Sequence, residues 1–268
     1  MLLGVHCSTS GGLERSCEEA ERLQIDTFQI FSRNQRQWKA KPVSTEESDL
    51  FRKSFLKSKA KIAFSHTSYL INLAAENDEN RAKSIEALKE EIKRCTALGL
   101  AYCVLHPGAA GTQTLELAVN RIADGLREVL DNSPESEVMI LLENTAGQGT
   151  SVGGTFENLK MISDMVESDR LGYCFDTCHA FVSEYDIRTH IGFEETMNEF
   201  DKILGLKNLK VFHLNDSKGD FNTHLDRHEH IGHGHLGLVP FREIMQKFQH
   251  IPKVLETPKE DDWDEKNL

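Results

Sequence analysis

Residues 211–237 read VFHLNDSKGDFNTHLDRHEHIGHGHLG, and six of the chain's twelve histidines fall within them. They are His213, His224, His228, His230, His233 and His235, with Asp216 and Asp226 close by. Imidazole and carboxylate together form the ligand set of zinc and similar divalent metals. The order of residues matters as much as their kind. A short apolar run, VFHL, delivers His213 near its end, which is how a buried strand hands a polar group to the rim of a sheet. Further on, DRH is extended, and side chains two apart on extended backbone point the same way, so one ion can take both Asp226 and His228. The plain alternative is a solvated polar loop that happens to hold histidines. GHGHLG (232–237) formally matches the dinucleotide-binding fingerprint, but that motif needs a strand before it and a helix after it. What precedes it is DRHEHI, so the match is set aside.

Working outward, the apolar run that ends in a ligand-type residue recurs along the chain. The expected strands are LLGVH (2–6), TFQIF (27–31), IAFSH (62–66), YCVLH (102–106), VMILLE (138–143), GYCFD (172–176), KVFHL (210–214) and KVLE (253–256). Longer segments of helical period lie between them. One covers Ser84 to Leu98, with Ile85, Leu88, Ile92 and Cys95 on one face and Gly99 as its stop. Another covers about 115–130, with Leu115, Val119, Ile122, Leu126 and Val129 on the buried stripe. This alternation predicts one α/β domain over residues 1–268, a single (β/α)8 TIM barrel, with a doubly wound open sheet as the competitor. In a barrel, the strand ends His6, His66, His106, Glu143, Asp176, His213 and Glu256 share the C-terminal rim. A lone histidine ending an apolar run is usually a satisfied core residue. Seven such ends buried without partners would cost several kcal/mol each, and a shared cluster of cations answers that cost.

The bulk numbers set limits. A chain of 268 residues with 39% hydrophobic content can bury one large core. It contains no apolar run long enough to span a membrane. Met1 leads into LLGVHCS, which is too short and wrongly flanked for a signal peptide. Cys7, Cys17, Cys95, Cys103, Cys174 and Cys178 form no CxxC pair and sit mostly in apolar runs, as expected for a cytoplasmic protein in a reducing compartment. The net charge of −12 argues against a nucleic-acid partner at face value. Bound dications and a local basic or aromatic surface would offset it, so net charge does not decide the question.

Four further stretches carry chemistry. FSRNQRQW (31–38) offers amide, guanidinium and indole groups on one loop, a set suited to phosphate contacts and insertion between bases. A solvated loop anchored by Trp38 is the plainer reading. HTSYLINLA (66–74) sets a strand-end histidine before Tyr69 and Leu70, which composition alone would pack under a helix. LLENTAGQGT (141–150) follows Glu143 with glycines that allow close approach of backbone to a phosphate. CFDTCHAF (174–181) spaces Asp176 and His179 three apart across a strand end, with Cys178 read as packing. There is no HExxH and no GxSxG.

Taken together, GVHCSTSGGL, FQIFSRNQRQW, HTSYLINLA, LHPGA, LLENTAGQGT, CFDTCHAF, HLNDSK, DRHEHIGHGHLG and LETP resemble the endonuclease IV family of apurinic/apyrimidinic endonucleases, from residue 4 to 258. The resemblance implies a xylose-isomerase-like TIM barrel holding three zinc ions. His66, His106 and Glu143 would take the first ion. Glu143, Asp176, His213 and Glu256 would take the second, and His179, Asp226 and His228 the third. Glu143, Asp176 and Glu256 would be the catalytic carboxylates. It also implies a monomer that cuts duplex DNA 5′ to an abasic site in base excision repair, leaving a 3′-hydroxyl and a 5′-deoxyribose phosphate. A 3′-phosphodiesterase side activity goes with this. Asn34, Gln35, Arg36, Tyr69 and Leu70 would contact the DNA. The chain departs from many relatives in its short terminal helix, and His233 and His235 fall where the motif varies. A sugar isomerase or epimerase is the nearest rival among enzymes. A damage-binding or metal-storing module is the rival outside them.

Overall fold

Each apolar run becomes a barrel strand within one residue of its expected limits in the computed structural model, which describes residues 2–268. Met1 lies outside the described residues. The eight strands are Leu3–His6, Thr27–Ile30, Ile62–His66, Tyr102–Leu105, Met139–Glu143, Leu171–Asp176, Leu209–His213 and Lys253–Leu255. They are paired in chain order, all parallel, and the last closes on the first through Leu3↔Lys253 and Val5↔Leu255. Closure rules out the open sheet. Strands of a parallel barrel are covered on both faces, which is why these runs are apolar nearly throughout.

Two apolar layers hold the barrel. The larger fills the space between strands and helices and includes Phe28, Leu88, Ile122, Phe175 and Phe212. The smaller plugs the barrel itself and is made of Phe64, Val104, Leu141, Cys174, Val211 and Val254, one from each of strands three to eight. Strand side chains alternate between faces, so the residue two positions on points the same way. Those residues are His66, His106, Glu143, Asp176, His213 and Glu256. One periodicity therefore sets six polar groups directly above a dry plug, at the C-terminal mouth where barrel enzymes build their sites.

The helices start and stop where local chemistry dictates. The expected helix at 84–98 starts earlier, spanning Asp78–Leu98, because the Asn77 side chain caps it by accepting from the Asn80 N–H at 2.9 Å. Gly99, at φ 75°, ends it as expected. The next helix, Leu115–Asp131, buries Val119, Ile122, Leu126 and Val129, but Leu115 is 41% exposed and Ala118 starts the stripe instead. Among the described residues no helix is long and apolar enough to cross a membrane. Two short antiparallel ribbons follow strand ends, Gly108–Ala109 with Ser151–Val152 and Asp216–Ser217 with His228–Glu229.

Candidate metal centre

Glu143 is the hub of the mouth. Its side chain is fully buried, with Oε2 3.1 Å from both His66 Nε2 and His106 Nε2. Oε1 lies 3.0 Å from His213 Nδ1 and 3.3 Å from His179 Nδ1. Glu256 Oε2 is 3.2 Å from His213 Nδ1, and Asp176 Oδ2 is 3.9 Å from the same nitrogen. On the outer side His179 Nε2 stands 3.2 Å from Asp226 Oδ1, which is 3.6 Å from His228 Nε2. The nine residues expected to hold metal thus lie in one continuous cluster. His6, the remaining strand-end histidine, sits at its edge, 3.9 Å from Glu256 Oε1.

Backbone carbonyls aim the imidazoles. His66 Nδ1, His179 Nδ1 and His228 Nδ1 face the carbonyls of Thr67, Asn144 and Glu256 at 2.8, 3.0 and 3.2 Å. A carbonyl only accepts, so each Nδ1 carries a proton and each Nε2 is left for the interior, as a lone pair whenever the ring is neutral. Asn144 and Asn215 then lock the acids. Asn144 Oδ1 accepts from the Asp176 N–H at 2.7 Å. Asn215 Nδ2 donates to Asp176 Oδ2 at 2.6 Å, and its Oδ1 accepts from the Glu256 N–H at 2.8 Å. Neither asparagine follows from the sequence pattern, although each directly follows or neighbours a strand-end residue in LLEN and HLND.

The charge balance shows what the cluster wants. Burial would lower the pKa of His213, but Cys174, Glu256 and Glu143 around it raise it well above the usual imidazole range. Burial likewise opposes charge on His179 and His66, and Asp176, Asp226 and Glu143 override it, leaving both raised. Burial would raise Glu143 and Glu256, yet the neighbouring histidines hold both well below the carboxylate range. The acids are ionised and demand positive charge, which protons supply in part when nothing else does.

Metal ions fit this demand. Two ligands on one tetrahedral zinc at about 2.0–2.1 Å from the metal stand roughly 3.3 Å apart. The sets His66–His106–Glu143 and His179–Asp226–His228, and Glu143 with His213, bring their donor atoms within 4.8 Å of one another. His228 Nε2 is buried without any hydrogen-bond partner among the described residues, and the equally buried His179 Nε2, though 3.2 Å from Asp226 Oδ1, makes no aligned hydrogen bond to it. A buried lone pair left unmatched is costly, and a cation is the partner that would satisfy both. Cys178 is buried and its thiol is pushed up by burial to about 12, in keeping with packing.

The loops expected to meet DNA stand beside the mouth. Asn34 and Arg36 are exposed, Gln35 and Leu70 half-buried, and Tyr69 is 65% exposed, so Tyr69 does not pack under a helix. Ser68 Oγ donates to the Gln35 carbonyl at 2.7 Å, tying the two loops together. Trp38 is half-buried against the core and anchors the first loop, so that part of the plainer reading holds. Beneath it the buried Arg94 donates to Ser32 Oγ at 2.9 Å and to the Lys41 carbonyl at 2.6 Å. Glu91, 4.0 Å from Arg33 Nε, supplies the counter-charge. Arg36 and Tyr69 line a cleft of about 860 Å³, which shares His6 and Phe31 with a cavity of about 330 Å³ floored by His66, His106, His179 and Glu256.

Asp216 has a different task from the other acids. It is fully buried, and its carboxylate accepts from the N–H groups of Ser217, Gly232, Gly234 and Leu236 at 2.8–3.0 Å. GHGHLG is therefore a loop wrapped round a carboxylate, which accounts for Gly232 and Gly234 without any nucleotide. His233 and His235 are exposed on that loop. The short terminal helix, Trp263–Asn267, stacks Trp263 on His230 with ring centroids 3.8 Å apart.

Residues 17–268 match the family described as "Xylose isomerase-like TIM barrel", which fixes the class of protein that this fold and mouth define. Within that class, a "Probable endonuclease 4" of Trichlorobacter lovleyi is 46% identical over 99% of this chain and 96% of its own length. The crystal structure of endonuclease IV from Thermus thermophilus superposes with a TM-score of 0.89 at 32% identity, covering 100% of this chain and 96% of that one. The chain belongs to the endonuclease IV family. A D-tagatose 3-epimerase-like protein, 20% identical with a TM-score of 0.78 over 100% of this chain and 94% of its own, shares the fold alone.

Proposed function

We propose that this chain is a DNA-repair endonuclease that hydrolyses the phosphodiester bond 5′ to abasic sites in duplex DNA. The products are a 3′-hydroxyl and a 5′-deoxyribose phosphate, and the cofactor is three zinc ions held by the nine residues of the mouth. The observation that carries the reading is Glu143, one buried carboxylate within 3.3 Å of four imidazoles. When bound, the cations supply an activated water, neutralise the phosphate oxygens and stabilise the departing alkoxide. Glu143, Asp176 and Glu256 fix where that charge sits, and Asn144 and Asn215 keep the last two from swinging away. Hydrolysis would add the oxygen of a water to phosphorus while the bond from phosphorus to the 3′ oxygen breaks, with the proton lost by the water balanced by the one the 3′ oxygen takes up to leave as a hydroxyl.

Arg36, with Asn34 and Gln35, contacts phosphates, and Tyr69 with Leu70 enters the duplex. Extruding a nucleotide costs least where a base is missing, since little stacking is lost, so recognition rests on deformability. The same mouth would trim blocked 3′ ends as a 3′-phosphodiesterase. The protein acts as a monomer in base excision repair, in a cytoplasm where its six free buried cysteines stay reduced. Elemental analysis of pure protein, paired with nicking of a duplex carrying one abasic analogue, tests the proposal. Zinc-loaded protein that leaves such a duplex intact would overturn it.

A further inference from the structure

Gln29 lies inside the barrel on the second strand, fully buried, in register with His6 on one side and Phe64 on the other. An apolar residue would be the ordinary occupant, since the neighbouring strands fill this interior with Phe64, Val104 and Leu141. Gln29 instead reaches three polar groups. Its Nε2 donates to Glu256 Oε1 at 2.6 Å and lies 2.9 Å from His6 Nδ1. Its Oε1 lies 2.8 Å from His213 Nε2.

Elementary hydrogen-bond logic fixes every proton in this network. An ionised carboxylate only accepts, so the amide nitrogen must be the end facing Glu256. The amide oxygen then faces His213 and only accepts, so His213 must carry its proton on Nε2. That leaves Nδ1 facing Glu143, Glu256 and Asp176 at 3.0, 3.2 and 3.9 Å, where it holds a second proton in metal-free protein and would offer a lone pair to a cation that replaced that proton. His66, His179 and His228 have the reverse arrangement, with Nδ1 bound to a carbonyl. Among the described residues no backbone carbonyl faces a ring nitrogen of His213, and the Gln29 amide oxygen takes that role.

We propose that Gln29 is a positioning residue, which sets the tautomer of His213 and the rotamer of Glu256 and so prepares two of the four groups expected to share one cation. The inference rests on the metal reading given above, toward which it assigns a residue outside the ligand set. Partners of metal-bound histidines typically account for about 10–100-fold in metal affinity. Gln29→Met keeps the volume and removes both hydrogen-bonding ends.

The test uses full-length protein. In Gln29→Met, zinc titration against a competing chelator should show one weakened ion, about 10–100-fold, with the others unchanged. Nicking should lose kcat with KM for abasic duplex unchanged. Imidazole 15N NMR of zinc-loaded wild type should show His213 protonated on Nε2, and this stands as a test even if the variant fails to fold. A proton on Nδ1 in the zinc-loaded wild type, or wild-type zinc affinity in a folded variant, would overturn the assignment. Wild type that binds zinc with the expected tautomer yet does not nick abasic DNA would defeat the functional proposal alone.

Discussion

Gly234 packs so closely on Asp216 that a β-carbon at 234 would lie 2.4 Å from the carboxylate Oδ1. The two residues hold the loop that returns from the ribbon containing His228, so the geometry of one edge of the mouth depends on a residue with no side chain. Gly234→Ala should therefore push the loop off Asp216 and orphan backbone N–H groups at about 1–3 kcal/mol each. Urea denaturation and zinc content should fall together. A variant as stable as wild type would mean that something else holds the loop.

Glu143→Gln keeps the shape of the hub and removes its charge. The four surrounding imidazoles then lose their common counter-ion, and the protein should retain fewer zinc ions after dialysis. Turnover of abasic duplex should fall at least about 10³-fold, the upper scale for one electrostatic contact to a transition state. Near-normal cleavage would remove Glu143 from the proposed chemistry.

Arg36→Ala and Tyr69→Ala act outside the mouth. Each should weaken abasic-DNA binding by roughly tenfold to a hundredfold, the scale of one lost stacking or charged contact. Zinc content should not change. Loss of zinc in either variant would mean that these side chains belong to the cluster and not to the DNA surface.

Glu91 carries the loop indirectly. Removing it leaves Arg33 buried beside Arg94 without a counter-charge, a change that costs about 3–5 kcal/mol for buried pairs. Glu91→Ala should lower stability and abasic-DNA affinity together while zinc content stays at the wild-type level. Unaltered DNA affinity in the folded variant would show that the loop keeps its shape without this support.

The pH response follows from the direction of each shift. In metal-free protein the folded-state values of His179 and His213 lie above the ordinary imidazole value of 6.5. Their protonation stabilises the fold fully below about 6.5, and this is lost as pH rises through the raised values. Glu143 and Glu256 are depressed from 4.5, so their contribution is present above about 4.5 and lost as pH falls through the lowered values. Metal-free protein should be most stable in the mildly acid window between, and added zinc should raise Tm more at pH 8 than at pH 5.5. An equal gain at both values would refute the idea that protons and cations compete for the same sites.

Much of this architecture is legible in the sequence. The repeating unit is short: Phe64 then His66, Val104 then His106, Leu141 then Glu143, Cys174 then Asp176, Val211 then His213, Val254 then Glu256. A period of two converts that pattern directly into a plug and a rim, because strand geometry leaves no other choice. The layer that makes no use of period stays hidden. Asn144, Asn215 and Gln29 act through contacts between strands far apart in sequence, and an amide carries no distinctive spacing. Asp216 reads in the sequence as one more acid beside a histidine run. Only the folded loop reveals that its partners are backbone groups of Gly232, Gly234 and Leu236. Leu115 departs from expectation for a local reason, since the first residue of a helix need not follow the stripe of its later turns.

The burial of every cysteine has a practical outcome. Thiols withdrawn from water, with Cys17, Cys174 and Cys178 pushed to about 12, offer alkylating reagents almost no thiolate in the native state. A cysteine introduced at position 69, where the native tyrosine is 65% exposed, would be the single fast-reacting site on the folded chain. A fluorophore attached there would report whether an added abasic duplex reaches the edge of the cleft, with no background from the rest of the molecule.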